Sequence, residues 1–188
     1  MRACLARTSK VVACDLLDTL QMAAVYLYIA VGKHNMNEFL FEEDLPIVGQ
    51  FGAEDITRGV CRYLRTMGFS PLTEFKLPSN RRVDVMGLNN KGFYSVVEVK
   101  SSVADFRADN KWRDYLPFAD QMYFAVANGF PIEILPGECG IMIADSYNAA
   151  IVREADIIKV NAARRKTQHV RFAKTAANRL HRMNDPRY

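Results

Sequence analysis

Apolar residues recur along this chain at spacings that define its elements. Ile56, Val60 and Leu64 lie four residues apart and predict a helix over residues 53–67, which ends at Gly68. The same reasoning predicts, in order, strands over residues 71–77, 82–86 (ending near Gly87) and 93–100, a helix opening at Ser102, a strand over 121–127, a hairpin of 141–145 and 150–153, and a helix over 167–183. The order α-β-β-β-α-β, followed by a hairpin and a C-terminal helix, predicts an α/β (α+β) fold: a mixed β-sheet core flanked by helices.

Charged side chains fall inside the most apolar of these strands. Glu98 and Lys100 share one face of the strand over 93–100, because side chains alternate along a strand. Asp84, on the preceding strand, can lie beside them. The valines around Glu98 indicate burial, where unpaired charges are costly. The cluster is therefore either a structural ion pair or a site for a metal or a reaction.

These residue types suit metal chemistry. Mg²⁺ prefers oxygen ligands, and Asp84 and Glu98 supply carboxylates, with the backbone carbonyl of Val99 as a third candidate. Lys100 could orient or deprotonate a water molecule, or stabilise charge on a phosphate. Metal-assisted hydrolysis of a phosphodiester uses such parts, with Mg²⁺ or Mn²⁺ as the cofactor.

Composition and charge narrow the setting. A chain of 188 residues with 49% hydrophobic and 24% charged residues suits an ordered domain. Its four cysteines form no CxxC motif, which favours a reducing cytoplasm. The net charge of +4 is uneven, because residues 159–188 hold nine Lys or Arg against one acid. This basic segment favours a polyanionic partner or a solvated helix face.

The N-terminal residues stand apart from this pattern. The apolar run Met22–Val31 has ten residues and is too short to span a bilayer, so no membrane partner is expected. Met36 is an alternative start. We therefore expect an N-terminal extension of unknown role over 1–49 and one domain over 50–188.

The element order, with Asp on one strand and Glu-x-Lys on the next, resembles the PD-(D/E)XK nuclease superfamily. Several segments also resemble the MmcB family of DNA repair proteins of alphaproteobacteria. The segments that carry this resemblance are Asp55–Arg62, Arg81–Asp84, Val97–Phe106, Lys111–Tyr115, Tyr123–Val126, Phe130-Pro131, and Ala144-Asp145 through Val152–Glu154. The resemblance extends over roughly residues 50–183.

The resemblance implies a restriction-endonuclease-like core and a Mg²⁺-dependent nuclease that acts in DNA repair, in the cytoplasm near the nucleoid. Residue by residue, it makes Asp84 and Glu98 metal ligands and Lys100 the catalytic lysine, with Glu54 on the first helix as a further acid. Val83 stands where the superfamily usually has proline. Two alternatives stay open: a DNA-binding repair module with little turnover, and a protein that recruits other repair proteins. The oligomeric state is not predicted.

Further residues are candidates for contact with DNA. Ser101 and Ser102 lie at the start of a predicted helix, where a phosphate could bind, although Ser102 is also a natural N-cap. Arg107 and Lys111 are four residues apart and could contact phosphates. The remaining candidates lie in the basic C-terminal segment: Arg164, Arg165, Lys166 and Arg171.

Overall fold

The computed structural model describes residues 51–186 of this chain. The expectations for residues 1–49, including the apolar run Met22–Val31 and the alternative start Met36, lie outside the described residues. The described residues form one six-stranded mixed sheet flanked by helices, as the sequence predicts. None of the helices in this range combines the length and the apolar composition needed to cross a bilayer.

The elements follow the predicted order. Residues 51–186 form three α-helices and six strands: α1 (Ala53–Thr66), β1 (Phe69–Lys76), β2 (Arg82–Asn89), β3 (Tyr94–Lys100), α2 (Val103–Ala108), β4 (Gln121–Val126), β5 (Gly140–Ala144), β6 (Ala149–Arg153) and α3 (Ala162–Asn184). Short 3₁₀ segments cover Lys111–Asp114, Leu116–Phe118 and Ile132–Ile134.

The strands lie in the sheet in chain order, β1 to β6. Neighbours at both edges pair antiparallel, whereas β3–β4 and β4–β5 pair parallel. Strand β2 runs to Asn89, slightly beyond its predicted end near Gly87. Gly87 lies inside the strand and pairs with both Pro71 of β1 and Ser95 of β3. A side chain at this position would crowd the ring of Phe69 at 3.2 Å, so glycine lets β1 pack closely here.

The two faces of the sheet are covered by different helices. On one face, Ile56, Val60 and Leu64 of α1 pack with Val97 and Val99. On the other face, the 3₁₀ segments and Phe172 of α3 cover a second cluster of buried residues. Glu98 and Lys100 alternate with Val97 and Val99, so they point away from α1.

Helix α3 starts earlier than predicted, and polar side chains hold its buried face. It begins at Ala162, because Asn161 caps its first turn by accepting the N–H of Ala163 at 3.0 Å. Its buried residues are Gln168 and Phe172, whereas Val170 and Leu180 are 56% and 60% exposed. Polar side chains on this face donate hydrogen bonds to a 3₁₀ segment and to β1. Examples are Gln168 Nε2, which donates to the Phe118 carbonyl at 2.7 Å, and Arg179, whose Nη1 and Nη2 donate to the carbonyls of Thr73 at 2.6 Å and Glu74 at 3.0 Å.

Candidate active site

The strands that carry the acidic cluster separate at the site. The ladder between β2 and β3 includes the pair Val85–Val97, and its register does not continue to Asp84. The carboxylate of Asp84 accepts the backbone N–H of Val99 through Oδ2 at 2.8 Å instead. This side-chain bond satisfies an amide that strand pairing leaves free, and it fixes one oxygen of Asp84.

Glu98 and Lys100 are both buried on the same face of β3, with 4% and 3% of their surface exposed. Lys100 Nζ donates to Glu98 Oε1 at 3.2 Å and to Oδ2 of Asp109 at 2.9 Å. The second oxygen of Glu98, Oε2, is buried and has no hydrogen-bond partner. A buried oxygen without a donor is costly, and a bound cation would satisfy it.

The crowding of acids shifts the ionisation of the cluster. Burial, and next the charge of Asp84, raise the pKa of Glu98 to about 8 against the opposing effect of Lys100. Burial also raises the pKa of Asp84, although the Val99 amide and Lys100 lower it in part. Burial lowers the pKa of Lys100, but the hydrogen bond with Asp109 and the charge of Glu98 outweigh it, so this pKa is raised. The site thus crowds carboxyl groups around one ammonium group, and burial together with this crowding disfavours the ionised form of Glu98.

Asp84 and Glu98 lie on the floor of an open cleft of about 510 Å³, and Lys100 lies buried behind them. The acidic lining residues of the cleft are Asp84, Glu98 and Asp109. Its other lining residues are Lys76, Asn80, Arg81, Arg82, Lys111 and Tyr115. An acidic floor with a basic rim can bring a phosphate close to a cation held by carboxylates.

The donors suit a hard cation with few protein ligands. Within residues 51–186, no group of three or more His, Cys, Asp or Glu is arranged to hold a metal ion. Asp84 and Glu98 remain as a pair of carboxylates, each with one oxygen free of any hydrogen bond to the described residues. Mg²⁺ is commonly bound by one or two carboxylates together with water and substrate phosphate. The residues therefore fit Mg²⁺ or Mn²⁺ in this mode.

The structure does not bring Glu54 into the cleft. Glu54 is exposed in the first turn of α1, and it is not among the residues that line the cleft. The physical reason is that α1 packs on Val97 and Val99, which point to the opposite face of the sheet from Glu98.

Sequence reasoning missed Asp109, which contacts Lys100, and the basic rim residues Lys76, Arg81 and Arg82. Asp109 follows α2, and its Oδ1 accepts the N–H of Lys111 at 2.9 Å. An Asp just after a short helix and beside Asn110-Lys111 is a local turn signal, but only the fold brings it to Lys100.

The serines at α2 act on the helix itself. Ser102 Oγ accepts the Asp105 N–H at 3.1 Å, which confirms Ser102 as the N-cap. The Asp105 carboxylate in turn accepts the N–H of Ser101 at 3.2 Å. A carboxylate therefore already occupies the place where the sequence suggested a phosphate.

Arg107 and Lys111 are both exposed, but they do not lie on one helix. Helix α2 ends at Ala108, because the side chain of Asp109 bonds forward to Lys111 and sideways to Lys100. Lys111 lines the cleft, whereas Arg107 does not.

The basic residues of α3 have different roles. Arg165 donates to both oxygens of the buried Asp120 and to the carbonyl of Val160, which gives it a structural role in place of the predicted DNA contact. Arg164 donates to the Pro117 carbonyl at 2.9 Å and is also partly engaged. Lys166 is exposed and Arg171 is partly exposed, so both predicted contacts stay open.

Two comparisons with known proteins found proteins that this chain resembles. A family model for MmcB-like DNA repair proteins matches residues 50–187. A solved structure, titled SPO1766 protein of unknown function from Silicibacter pomeroyi, is 48% identical in sequence and has a TM-score of 0.68, over 76% of this chain and 94% of that chain. No curated protein matches this chain. The chain belongs to the family of MmcB-like DNA repair proteins.

Proposed function

We propose that this protein is a metal-dependent deoxyribonuclease of the PD-(D/E)XK superfamily that acts in DNA repair. The observation that carries the proposal is the convergence of Asp84 and Glu98 on one cleft with a basic rim, with the buried Lys100 hydrogen-bonded to Glu98 directly behind them. Their positions on two neighbouring strands, with the order α-β-β-β-α-β, support the superfamily assignment. Membership of a family of DNA repair proteins supports DNA as the substrate and a role in repair.

The free oxygens of Asp84 and Glu98 would hold Mg²⁺ or Mn²⁺. The carbonyl of Val99 remains a candidate third ligand. The N–H and C=O of one strand residue point toward the same neighbouring strand, and the Val99 N–H points at Asp84, so its carbonyl would lie on the same side. When bound, such an ion polarises a phosphoryl oxygen and promotes ionisation of a water molecule.

The other side chains would act on the DNA. The ammonium group of Lys100 would stabilise negative charge that develops on the phosphate during attack by water. Lys76, Arg82 and Lys111 on the rim would neutralise the neighbouring phosphates, with an affinity that falls as salt rises. These contacts would position the backbone without reading its sequence.

The test is cleavage of a panel of labelled DNA structures (nick, flap, abasic site and single strand) with Mg²⁺ or Mn²⁺. We expect wild type to cut at least one of them, and Asp84→Ala and Lys100→Ala to cut it at least about 100-fold more slowly. The exposed residues Asp114 and Lys159 provide controls of matched charge as alanine variants. Cleavage that persists in both site variants would assign the activity to another site or to a contaminant.

A second candidate is a DNA-binding or partner-recruiting repair module that retains this fold without turnover. It is favoured by the absence of a third metal-binding carboxylate within residues 51–186. The two candidates differ in how DNA binding depends on metal. An acidic floor without a cation repels DNA, so a nuclease site should bind DNA more tightly when Ca²⁺ or Mg²⁺ is added, whereas a binding module should not need the ion.

A further inference from the structure

The ammonium group of Lys100 lies between carboxylates from two different elements. Its Nζ is 2.9 Å from Asp109 Oδ2 and 3.2 Å from Glu98 Oε1. Asp109 lies in the loop that follows α2, and its side chain is fixed there because its other oxygen accepts the N–H of Lys111. The closer partner of Lys100 is therefore a residue of the loop and not the carboxylate beside it on β3.

A buried ammonium group needs a partner. Only 4% of the Lys100 side chain is exposed. A cation that binds Glu98 competes with Lys100 for that carboxylate. Asp84 cannot replace it, because its Oδ2 accepts the N–H of Val99 and its free oxygen is the one proposed to bind the same cation. Asp109 can hold Lys100 while Glu98 is bound to a cation.

Without Asp109 the balance would change. Lys100 would have Glu98 as its remaining partner, and the buried pair would compete directly with a divalent cation for the same oxygens. Apart from Asp84, the other charged groups that line the cleft are cations and cannot take over: Lys76, Arg81, Arg82 and Lys111.

We infer that Asp109 is a positioning residue that retains Lys100 and leaves Glu98 open to the metal ion. This inference rests on the proposed function in one respect, the binding of a cation at Asp84 and Glu98. In this role Asp109 acts on its neighbour Lys100 and not on the substrate. Its effect on the metal passes through Lys100.

The experiment is calorimetric titration of Mn²⁺ into the full chain, comparing wild type with Asp109→Asn, Lys100→Met and the double variant. Asparagine keeps the size of Asp109 and an oxygen that can accept the Lys111 N–H, but it removes the charge that binds Lys100. We expect Asp109→Asn to weaken Mn²⁺ binding about tenfold, the scale seen for residues behind metal ligands. In the Lys100→Met background the same change should leave the affinity unaltered, because the competing ammonium group is gone.

Two controls separate this role from a general effect on the fold. Asp109→Glu keeps the charge and should restore most of the affinity. Asp114→Asn removes an exposed carboxylate that contacts Arg81 and not Lys100, and it should change nothing. Thermal unfolding of each variant measures any loss of structure. A loss of structure caused by Asp109→Asn would also be present in the double variant.

Unchanged Mn²⁺ affinity in Asp109→Asn would overturn the inference while the metal site stands. An equal loss in both backgrounds would also overturn it, since Asp109 would then act on the cation through its own charge or through the fold. Wild-type protein that binds no Mn²⁺ would overturn the proposed function and the inference with it.

Discussion

The buried ion pair between Asp120 and Arg165 should be a major source of stability. Asp120 is 1% exposed and its carboxylate accepts four hydrogen bonds. Two come from Arg165 of α3, and two come from the backbone amides of Tyr94 at 2.7 Å and Val160 at 2.9 Å. One carboxylate thus joins β3, the segment before α3 and α3 itself.

Asp120→Asn keeps the shape of this side chain but removes its charge and turns an NH₂ group toward groups that donate. Removal of one partner from a buried ion pair leaves the other charge uncompensated and costs about 3–5 kcal/mol. The matched control is Asp114→Asn. Asp114 pairs with Arg81 at 2.8 Å, but the two side chains are 49% and 43% exposed, so this loss should stay below about 1 kcal/mol.

The assay is urea unfolding followed by tryptophan fluorescence, because the chain has one tryptophan, Trp112, and it is buried. We expect a lower unfolding midpoint for Asp120→Asn with an unchanged slope. A loss as small as that of Asp114→Asn would refute the structural role of Arg165 and return it to the candidates for DNA contact.

The effect should also depend on pH. Burial alone would raise the pKa of Asp120, but the hydrogen bonds from Arg165, Tyr94 and Val160 outweigh it and hold this pKa below its usual range. The stabilisation is then fully present above the unfolded pKa of about 3.9 and is lost as pH falls through the lower folded value. The difference in unfolding free energy between wild type and Asp120→Asn should therefore shrink below about pH 4.

Three further predictions follow from close contacts and charges. Gly59→Ala should destabilise the fold by about 1–3 kcal/mol in urea unfolding, because the new Cβ would lie 2.1 and 2.5 Å from carbonyl oxygens of the β5–β6 turn. The control is Gly137→Ala, whose Cβ meets no atom within 4 Å and which should be neutral. Glu98 has a pKa of about 8, above its ordinary value of about 4.3, so the metal-free protein should lose stability as pH rises between these values. Glu98→Gln should abolish that loss in unfolding measured with EDTA at about pH 5 and about pH 9, and an equal pH dependence in both proteins would contradict it. Replacing the exposed Lys166 and Lys174 by glutamine should weaken DNA binding and lower the salt slope by about two, with no change in stability, and anisotropy titrations that show an unchanged slope would exclude α3 from the interface.

The alternation of side chains made the centre of the site predictable. The period of two along β3 follows from backbone geometry, so Glu98 and Lys100 had to share a face, and the neighbouring valines indicated that the strand is buried. The helix and strand order was predictable for the same reason, since each element has its own apolar period.

Contacts between distant segments were not predictable in this way. Nothing near Asp109 in the sequence indicates that the loop after α2 returns to Lys100, and Asp120 is 45 residues from Arg165. The sequence therefore grouped Arg165 with the other basic residues of the C-terminal segment as a candidate for DNA contact. The buried face of α3 was not predictable from apolar spacing, because Gln168 and Arg179 hold it through hydrogen bonds to the carbonyls of Phe118 and Thr73.

We propose that cleavage of DNA by this protein requires the carboxylate of Glu98 and a cation held there. The most direct measurement is the single-turnover rate of phosphodiester cleavage in Mn²⁺, for wild type and for Glu98→Gln, on a DNA structure that the wild type cuts. Glutamine keeps the size of the side chain and removes the charge that would hold the ion. We predict a rate at least about 100-fold lower for the variant and no cleavage by wild type in EDTA. Equal rates for a folded Glu98→Gln and wild type would contradict the assignment of this cleft as the active site.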